Sequence, residues 1–83
     1  MRGLFINPLA VIFCPRIDEQ NEWNTLVCNP VTEDLLEVNN TGYFLLKKLE
    51  ENPGITKKEL DNSKQIAFID QMLRENIVYE KDL

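Results

Sequence analysis

The spacing of apolar residues changes at Asn39, and this change constrains the fold of the 83-residue chain more than any other feature. Before Asn39, apolar residues are largely β-branched or aromatic and partly alternate with polar ones, as they do in strands. After Asn39, they recur every three or four residues, which is typical of amphipathic helices. A chain with its strands first and its helices afterwards predicts an α+β fold.

Three segments before the change are predicted to be strands of one antiparallel sheet. They comprise residues 9–17, 23–28 and 33–38. The first two flank a polar turn at 18–22 and would form a hairpin. Pro15 cannot donate to a ladder, so it indicates a strand end, a bulge or an unpaired edge. In the third strand Leu36 and Val38 would face the core, and the acidic residues of that strand suit an exposed sheet edge.

Three helices are predicted after the change, at residues 41–51, 57–61 and 64–76. Their capping residues would be Asn40 or Thr41 for the first, a capping box of Thr56 and Glu59 for the second, and Ser63 for the third. A β-prone tail at 77–79 follows. We therefore predict one domain over residues 1–83, winged helix-turn-helix-like, with a three-stranded antiparallel sheet followed by three helices.

The charge balance excludes several classes of function. Fourteen acidic and nine basic residues give a net charge of −5, which is unfavourable for binding nucleic acid. The chain has no histidine, so it lacks the commonest general base and the commonest metal ligand. We expect a non-enzymatic protein without a catalytic residue, metal or other cofactor.

Neither the cysteines nor the N-terminus indicates export or membrane insertion. Cys14 and Cys28 are too few for a disulfide framework; we expect buried free thiols, although a hairpin could bring the two together. The apolar run that begins at Gly3 is interrupted by Asn7 and Pro8 and lacks a small-residue cleavage site. It is also too short to span a membrane. The expected location is the cytoplasm.

The third predicted helix has an apolar arc around Ile69 and Leu73 that covers about half of its circumference. A small core that surrounds the helix from two sides would explain this width. Alternatively, Phe68 and Met72 line an exposed groove for a partner. The outward positions would be Asp70, Gln71, Arg74 and Glu75, and two acids among them argue against a helix that reads DNA.

Several ordered segments are similar to PqqD-like proteins, the RiPP recognition elements. The middle of the chain, Leu26–Pro30 followed by Asp34–Gly42, resembles that family's strand, proline turn, strand and helix start. Residues 45–49 and 52–60 resemble its helix, glycine turn and Thr-x-x-Glu segment, and residues 68–78 resemble its closing segment. Asn76 replaces the family's glycine there, and asparagine also tolerates a left-handed conformation.

The resemblance implies a chaperone that binds the leader region of a ribosomally made precursor peptide in natural product biosynthesis. The leader would add as a strand beside residues 33–38, between that strand and the third helix. A radical SAM enzyme, a leader protease or a cyclase would then modify the peptide. The implied binding residues are Glu33, Asp34, Leu35, Leu36, Glu37, Val38, Phe68, Gln71, Met72 and Glu75.

Within this site the resemblance implies that Leu35 faces the groove, that Phe68 and Met72 form its other wall, and that Glu37 and Glu75 select basic leader residues. The acidic residues also have a simpler interpretation, because a solvated acidic face keeps a small domain soluble. Two other functions remain open from the sequence: a winged-helix transcriptional regulator, and a module that dimerises by pairing the same strand with its own copy.

Overall fold

In the computed structural model, the described residues 1–17 and 23–83 form two α-helices and two antiparallel sheets. The elements in chain order are β1 (Arg2–Ile6), β2 (Val11–Ile12), β3 (Arg16–Ile17), β4 (Trp23–Cys28), β5 (Leu35–Asn39), α1 (Asn40–Glu51), a 3₁₀ turn (Lys57–Glu59), α2 (Ser63–Arg74) and β6 (Val78–Asp82). The arrangement is α+β. The polar turn predicted at 18–22 lies outside the described residues.

The prediction of a winged helix-turn-helix-like fold, with three helices after a three-stranded sheet, is wrong. The middle helix is only a 3₁₀ turn, and a second sheet joins β1 to β6. The Glu59 carboxylate does accept a hydrogen bond from the Thr56 N–H at 2.8 Å, as a capping box requires. However, the backbone is already extended at Leu60. The three residues between Thr56 and Leu60 form too few hydrogen bonds to offset the cost of helix nucleation.

The first sheet is built around β4. Along one edge β4 pairs with β5, so β2 and β3 must pair in succession along the other edge. Ile12 is opposite Val27 and Arg16 is opposite Asn24. The three residues 13–15 therefore face only the two residues 25–26 of β4. This extra residue is a β-bulge next to Pro15. The predicted interruption is confirmed, and it divides the predicted strand 9–17 into β2 and β3.

The second sheet pairs β1 with β6 antiparallel, from Arg2 opposite Asp82 to Ile6 opposite Val78. The sequence did not predict β1, and the β-prone tail belongs to this sheet rather than to the first. On its other side β1 contacts the turn after α1: the Leu4 N–H donates to the Ile55 carbonyl at 2.7 Å. Leu4 is consequently fully buried.

One hydrophobic core lies between the two sheets and the two helices. Its buried residues are Leu4, Val27, Val38, Leu45, Leu46, Leu49, Leu60, Ile69, Met72, Ile77 and Val78. Both α-helices are capped one residue earlier than predicted. The Asn39 side-chain oxygen accepts from the Gly42 N–H at 2.9 Å, and that of Asn62 accepts from the Gln65 N–H at 3.0 Å. Each asparagine therefore satisfies an amide of the first turn.

Both cysteines are free thiols, and Cys14 is exposed, which corrects the expectation that it is buried. Cys14 lies in the bulge between β2 and β3, where the chain leaves the sheet ladder. Over residues 1–17 and 23–83 no helix is long and apolar enough to cross a membrane.

Candidate functional site

The free edge of β5 is the most distinctive feature near the predicted site. In the described part of the chain, β5 pairs only with β4. The Asn29 N–H donates to the Asp34 carbonyl at 2.9 Å, so Asn29 and Asp34 form a hydrogen-bonded pair at the start of the β4–β5 ladder. Because bonded and non-bonded pairs alternate, Leu36 and Val38 bond to β4, whereas the N–H and C=O groups of Leu35 and Glu37 point to the free edge.

The pleat sorts the side chains of β5 onto two faces. Val38 is buried and Leu36 packs against the core, as predicted. Leu35 and Glu37 are exposed on the outer face, which the helices do not cover. The expectation that Leu35 faces a groove next to the third predicted helix is therefore wrong, since its neighbours Leu36 and Val38 occupy the helix-facing side.

Two contacts fix α2 alongside β5. At one end, Val38 and the Phe68 ring both pack on Gly42, so closely that a Cβ there would lie within 3 Å of each side chain. At the other end, the Asn29 amide donates to the Glu75 carboxylate at 3.2 Å. Because Asn29 is bonded to the residue that precedes β5, α2 runs antiparallel to β5 along the length of the strand.

Three residues of α2 line the side nearest this edge. Phe68, Gln71 and Glu75 span two helical turns, roughly 10 Å, which matches the roughly 13 Å of chain from Asp34 to Val38. Phe68 and Glu75 are half-buried, and Gln71 is exposed. We call the surface between the free edge of β5 and these three helix residues the β5–α2 groove.

Met72 does not line this groove. It is 1% exposed and belongs to the core, which corrects the expectation that it forms a wall with Phe68. Each of the two interpretations of the wide apolar arc therefore applies to a different part of α2. Ile69 and Met72 are core residues, whereas Phe68 lies at the boundary between core and surface.

The acidic residues form a rim at the start of β5. Glu33 and Asp34 were predicted to lie in the strand but belong to the preceding turn, where Glu33 adopts a left-handed conformation at φ 65°. Both are exposed, as is Glu37. Basic side chains of a ligand at this end of the groove would meet the carboxylates of Glu33 and Asp34, whereas Glu37 lies on the outer face of the sheet.

The sequence interpretation missed the role of Asn29. This buried side chain accepts hydrogen bonds from the N–H groups of Val31 and Thr32, at 2.8 and 3.2 Å, and donates to Glu75. It therefore organises the turn before β5 and holds α2 beside it. An asparagine before a proline signals a turn, but the pattern does not reveal a contact with a helix 46 residues away.

Two clefts adjoin the elements of the site. One of about 320 Å³ lies between the N-terminal parts of α1 and α2, with Phe68 in its lining. Another of about 530 Å³ lies between α1, β2 and the two-stranded sheet, with Phe5, Tyr43 and Tyr79 in its lining. Among the described residues, no three acidic or cysteine side chains are grouped to hold a metal ion.

Comparisons with protein-family models, with curated proteins and with solved structures found no match to this chain. The similarity to PqqD-like proteins therefore stays a prediction from the sequence. The function has to be argued from the β5 edge and the groove themselves.

Proposed function

We propose that this protein is a non-enzymatic peptide-binding module, which takes an extended segment of a ribosomally made precursor peptide as a strand on β5 and presents it to a maturation enzyme. The open β5 edge beside α2 is the observation that carries the proposal. Main-chain hydrogen bonds to Leu35 and Glu37 would supply much of the affinity, as in other β-strand additions.

The groove indicates the chemistry of the peptide. In an added strand, alternate side chains would point toward the half-buried Leu36 and Phe68, so apolar residues two apart fit best. At the start of β5 the exposed carboxylates of Glu33 and Asp34 favour lysine or arginine. These rim charges act mainly on the association rate.

The test is a proline at the edge. Glu37 directs its N–H away from β4, so Glu37→Pro removes one donor from the free edge while the β4–β5 ladder remains. Glu37→Thr is the matched control, because it removes the same charge and keeps the N–H. The probe is a 12-residue peptide selected from a displayed random library and resynthesised, with titration calorimetry to measure its affinity.

We expect Glu37→Pro to weaken binding by roughly tenfold or more, and Glu37→Thr by no more than about threefold. The peptide should also shift the backbone amide resonances of Leu35 and Glu37. Equal affinities of the proline and threonine variants would contradict strand addition. Resonance shifts confined to Phe5, Tyr43 and Tyr79 would place the peptide in the other cleft and would also contradict the proposal.

A further inference from the structure

The outer face of the first sheet carries an apolar patch that extends across β2, β4 and β5. The register sets Val11 opposite Cys28 and Cys28 opposite Leu35, in one row. In the next row, the Phe13 N–H donates to the Leu26 carbonyl at 2.9 Å, and Leu26 is opposite Glu37. We call Val11, Phe13, Leu26 and Leu35 the outer sheet face.

These side chains are exposed although the sheet is fully built. Val11 is 48%, Phe13 46%, Leu26 41% and Leu35 57% exposed. The helices pack on the other face, where Val27 and Val38 are buried. These fractions leave an apolar patch of a few hundred Å², about the size of the largest patch on a typical monomer, which is often functional. Phe13 lies at the margin and also borders the larger cleft.

Charge on this face favours a second copy of the chain as the occupant. By register, Arg16 lies in the row of Asn24 and Asn39, next to the row of Glu37. Arg16 and Glu37 are the charged residues of the three described rows, so this part of the face carries no net charge in a protein of net charge −5. Two copies can therefore approach through this face without the repulsion that other surfaces would meet.

We propose that the outer sheet face is a homodimer interface, in which two copies pack sheet against sheet about a two-fold axis. A two-fold interface joins the same patch on both copies, so the apolar centres meet and Arg16 can face Glu37 of the second copy. The buried area would be at the lower end for specific complexes, which predicts a dissociation constant of roughly 10–500 µM.

This interface goes beyond the proposed peptide binding and does not depend on it. Packing through the outer face uses side chains of β2, β4 and β5, whereas strand addition uses the main-chain edge of β5. The edges of both copies stay open at the sides of a face-to-face dimer. A dimer would thus offer two peptide-binding edges.

Sedimentation equilibrium between about 5 and 1,000 µM tests the interface, a range that brackets the affinity expected for such a small area. The wild-type weight-average mass should rise from that of one chain toward that of two. Leu26→Lys places a charge at the centre of the face. Because Leu26 is opposite Glu37, the new lysine can form a cross-strand ion pair that helps each chain to fold. We expect this variant to raise the dissociation constant roughly tenfold or more, because residues at the centre of an interface contribute most to binding.

Three comparisons make the result decisive. Phe44→Lys introduces the same charge at an exposed apolar residue of α1 and should leave the dissociation constant unchanged. Glu37→Pro and Glu37→Thr should dimerise equally; if only the proline variant is monomeric, the copies pair through the β5 edge and the proposal is overturned. A wild-type protein that stays monomeric at the highest concentration would overturn it as well. Val11→Lys checks the same face if Leu26→Lys fails to fold.

Discussion

At the scale of single residues, the buried hydroxyl of Thr25 is the clearest local defect. Thr25 is 2% exposed on the core face of β4, opposite Val38, and its hydroxyl has no hydrogen-bond partner within the described part of the structure. An unsatisfied buried hydroxyl costs free energy. Valine has nearly the same shape without the polar atom. We expect Thr25→Val to raise the free energy of unfolding by about 1 kcal/mol, measured by urea denaturation.

Thr25→Ser is the matched control for this prediction. Serine keeps the hydroxyl and loses the methyl group, so it should lower the free energy of unfolding by about 1 kcal/mol through the small cavity it leaves. A valine variant that is less stable than the wild type would show that the hydroxyl makes a favourable hydrogen bond in solution.

At the scale of single residues, the sequence predicted which side chains are buried better than it predicted toward which side of the molecule the others point. Period two correctly assigned Val38 to the core, and the expected tolerance of Asn76 for a left-handed conformation is confirmed at φ 61°. Met72 and Phe68 were indistinguishable, because both flank the same apolar arc of α2. The structure separates them, because Met72 is buried in the core whereas Phe68 is partly buried and packs on Gly42 beside Val38.

At the scale of secondary structure, α1, α2 and β5 meet at Gly42. A Cβ on this residue would lie 2.6 Å from Val38 Cγ1 and 2.7 Å from Phe68 Cε1. Alanine would favour the helix by about 1 kcal/mol, but the overlap forces the strand or α2 to move. We expect Gly42→Ala to lower the free energy of unfolding by about 1–3 kcal/mol despite the better helix propensity.

A double-mutant cycle with Phe68→Leu tests the cause of that loss. The smaller side chain removes the ring atom that meets the new Cβ, so the two changes should couple favourably by about 1 kcal/mol. The overlap with Val38 remains, and recovery should be partial. Additive effects of the two substitutions would show that the helix crossing does not depend on this contact.

The sequence located most elements but not their lengths. Strand β4 matches its predicted range, and α1 and α2 begin one residue earlier than predicted, because asparagines outside the helices provide the caps. The segment 57–61 contains a correct capping signal, yet Asn62 already caps α2. A local signal for a helix start therefore could not show that too few residues remained for an α-helix.

At the scale of the whole molecule, the fold depends on pairings between distant parts of the chain. Leu4 of β1 is opposite Glu80 of β6, and it also contacts the turn at Gly54 and Ile55. No periodicity within residues 2–6 specifies such partners. This explains why the second sheet was not predicted, whereas the antiparallel pairing of β4 with the strand segments β2 and β3 that precede it was.

Surface charges add a further link between distant elements. The Lys57 ammonium of the 3₁₀ turn donates to the Asp70 carboxylate of α2 at 2.8 Å and lies 3.8 Å from Glu80 of β6. Glu80 in turn pairs with Arg2 of β1 at 3.3 Å. These groups are partly exposed, so the Lys57–Asp70 pair contributes at most about 1 kcal/mol to the free energy of unfolding.

The Lys57 pair predicts how stability depends on pH. The hydrogen bond to Asp70 raises the pKa of Lys57 above its ordinary value of 10.5, and the nearby charge of Glu80 also favours the ammonium form. A pKa that is raised in the folded state gives a contribution that is complete below pH 10.5 and is lost as the pH passes the folded pKa. Lys57→Gln should therefore reduce the free energy of unfolding by a constant amount near neutral pH, and the difference from the wild type should shrink above pH 10.5.

Urea denaturation from pH 6 to about pH 11 measures this difference, and Lys58→Gln is the control because it removes the same charge from the exposed neighbouring residue. Subtracting one variant from the other cancels the titration of the remaining lysines and tyrosines, which affects both proteins alike. Added salt should weaken the Lys57 contribution, since the pair is accessible to solvent. If Lys57→Gln and Lys58→Gln have the same stability at every pH, the charge link between the 3₁₀ turn, α2 and β6 does not contribute to the fold.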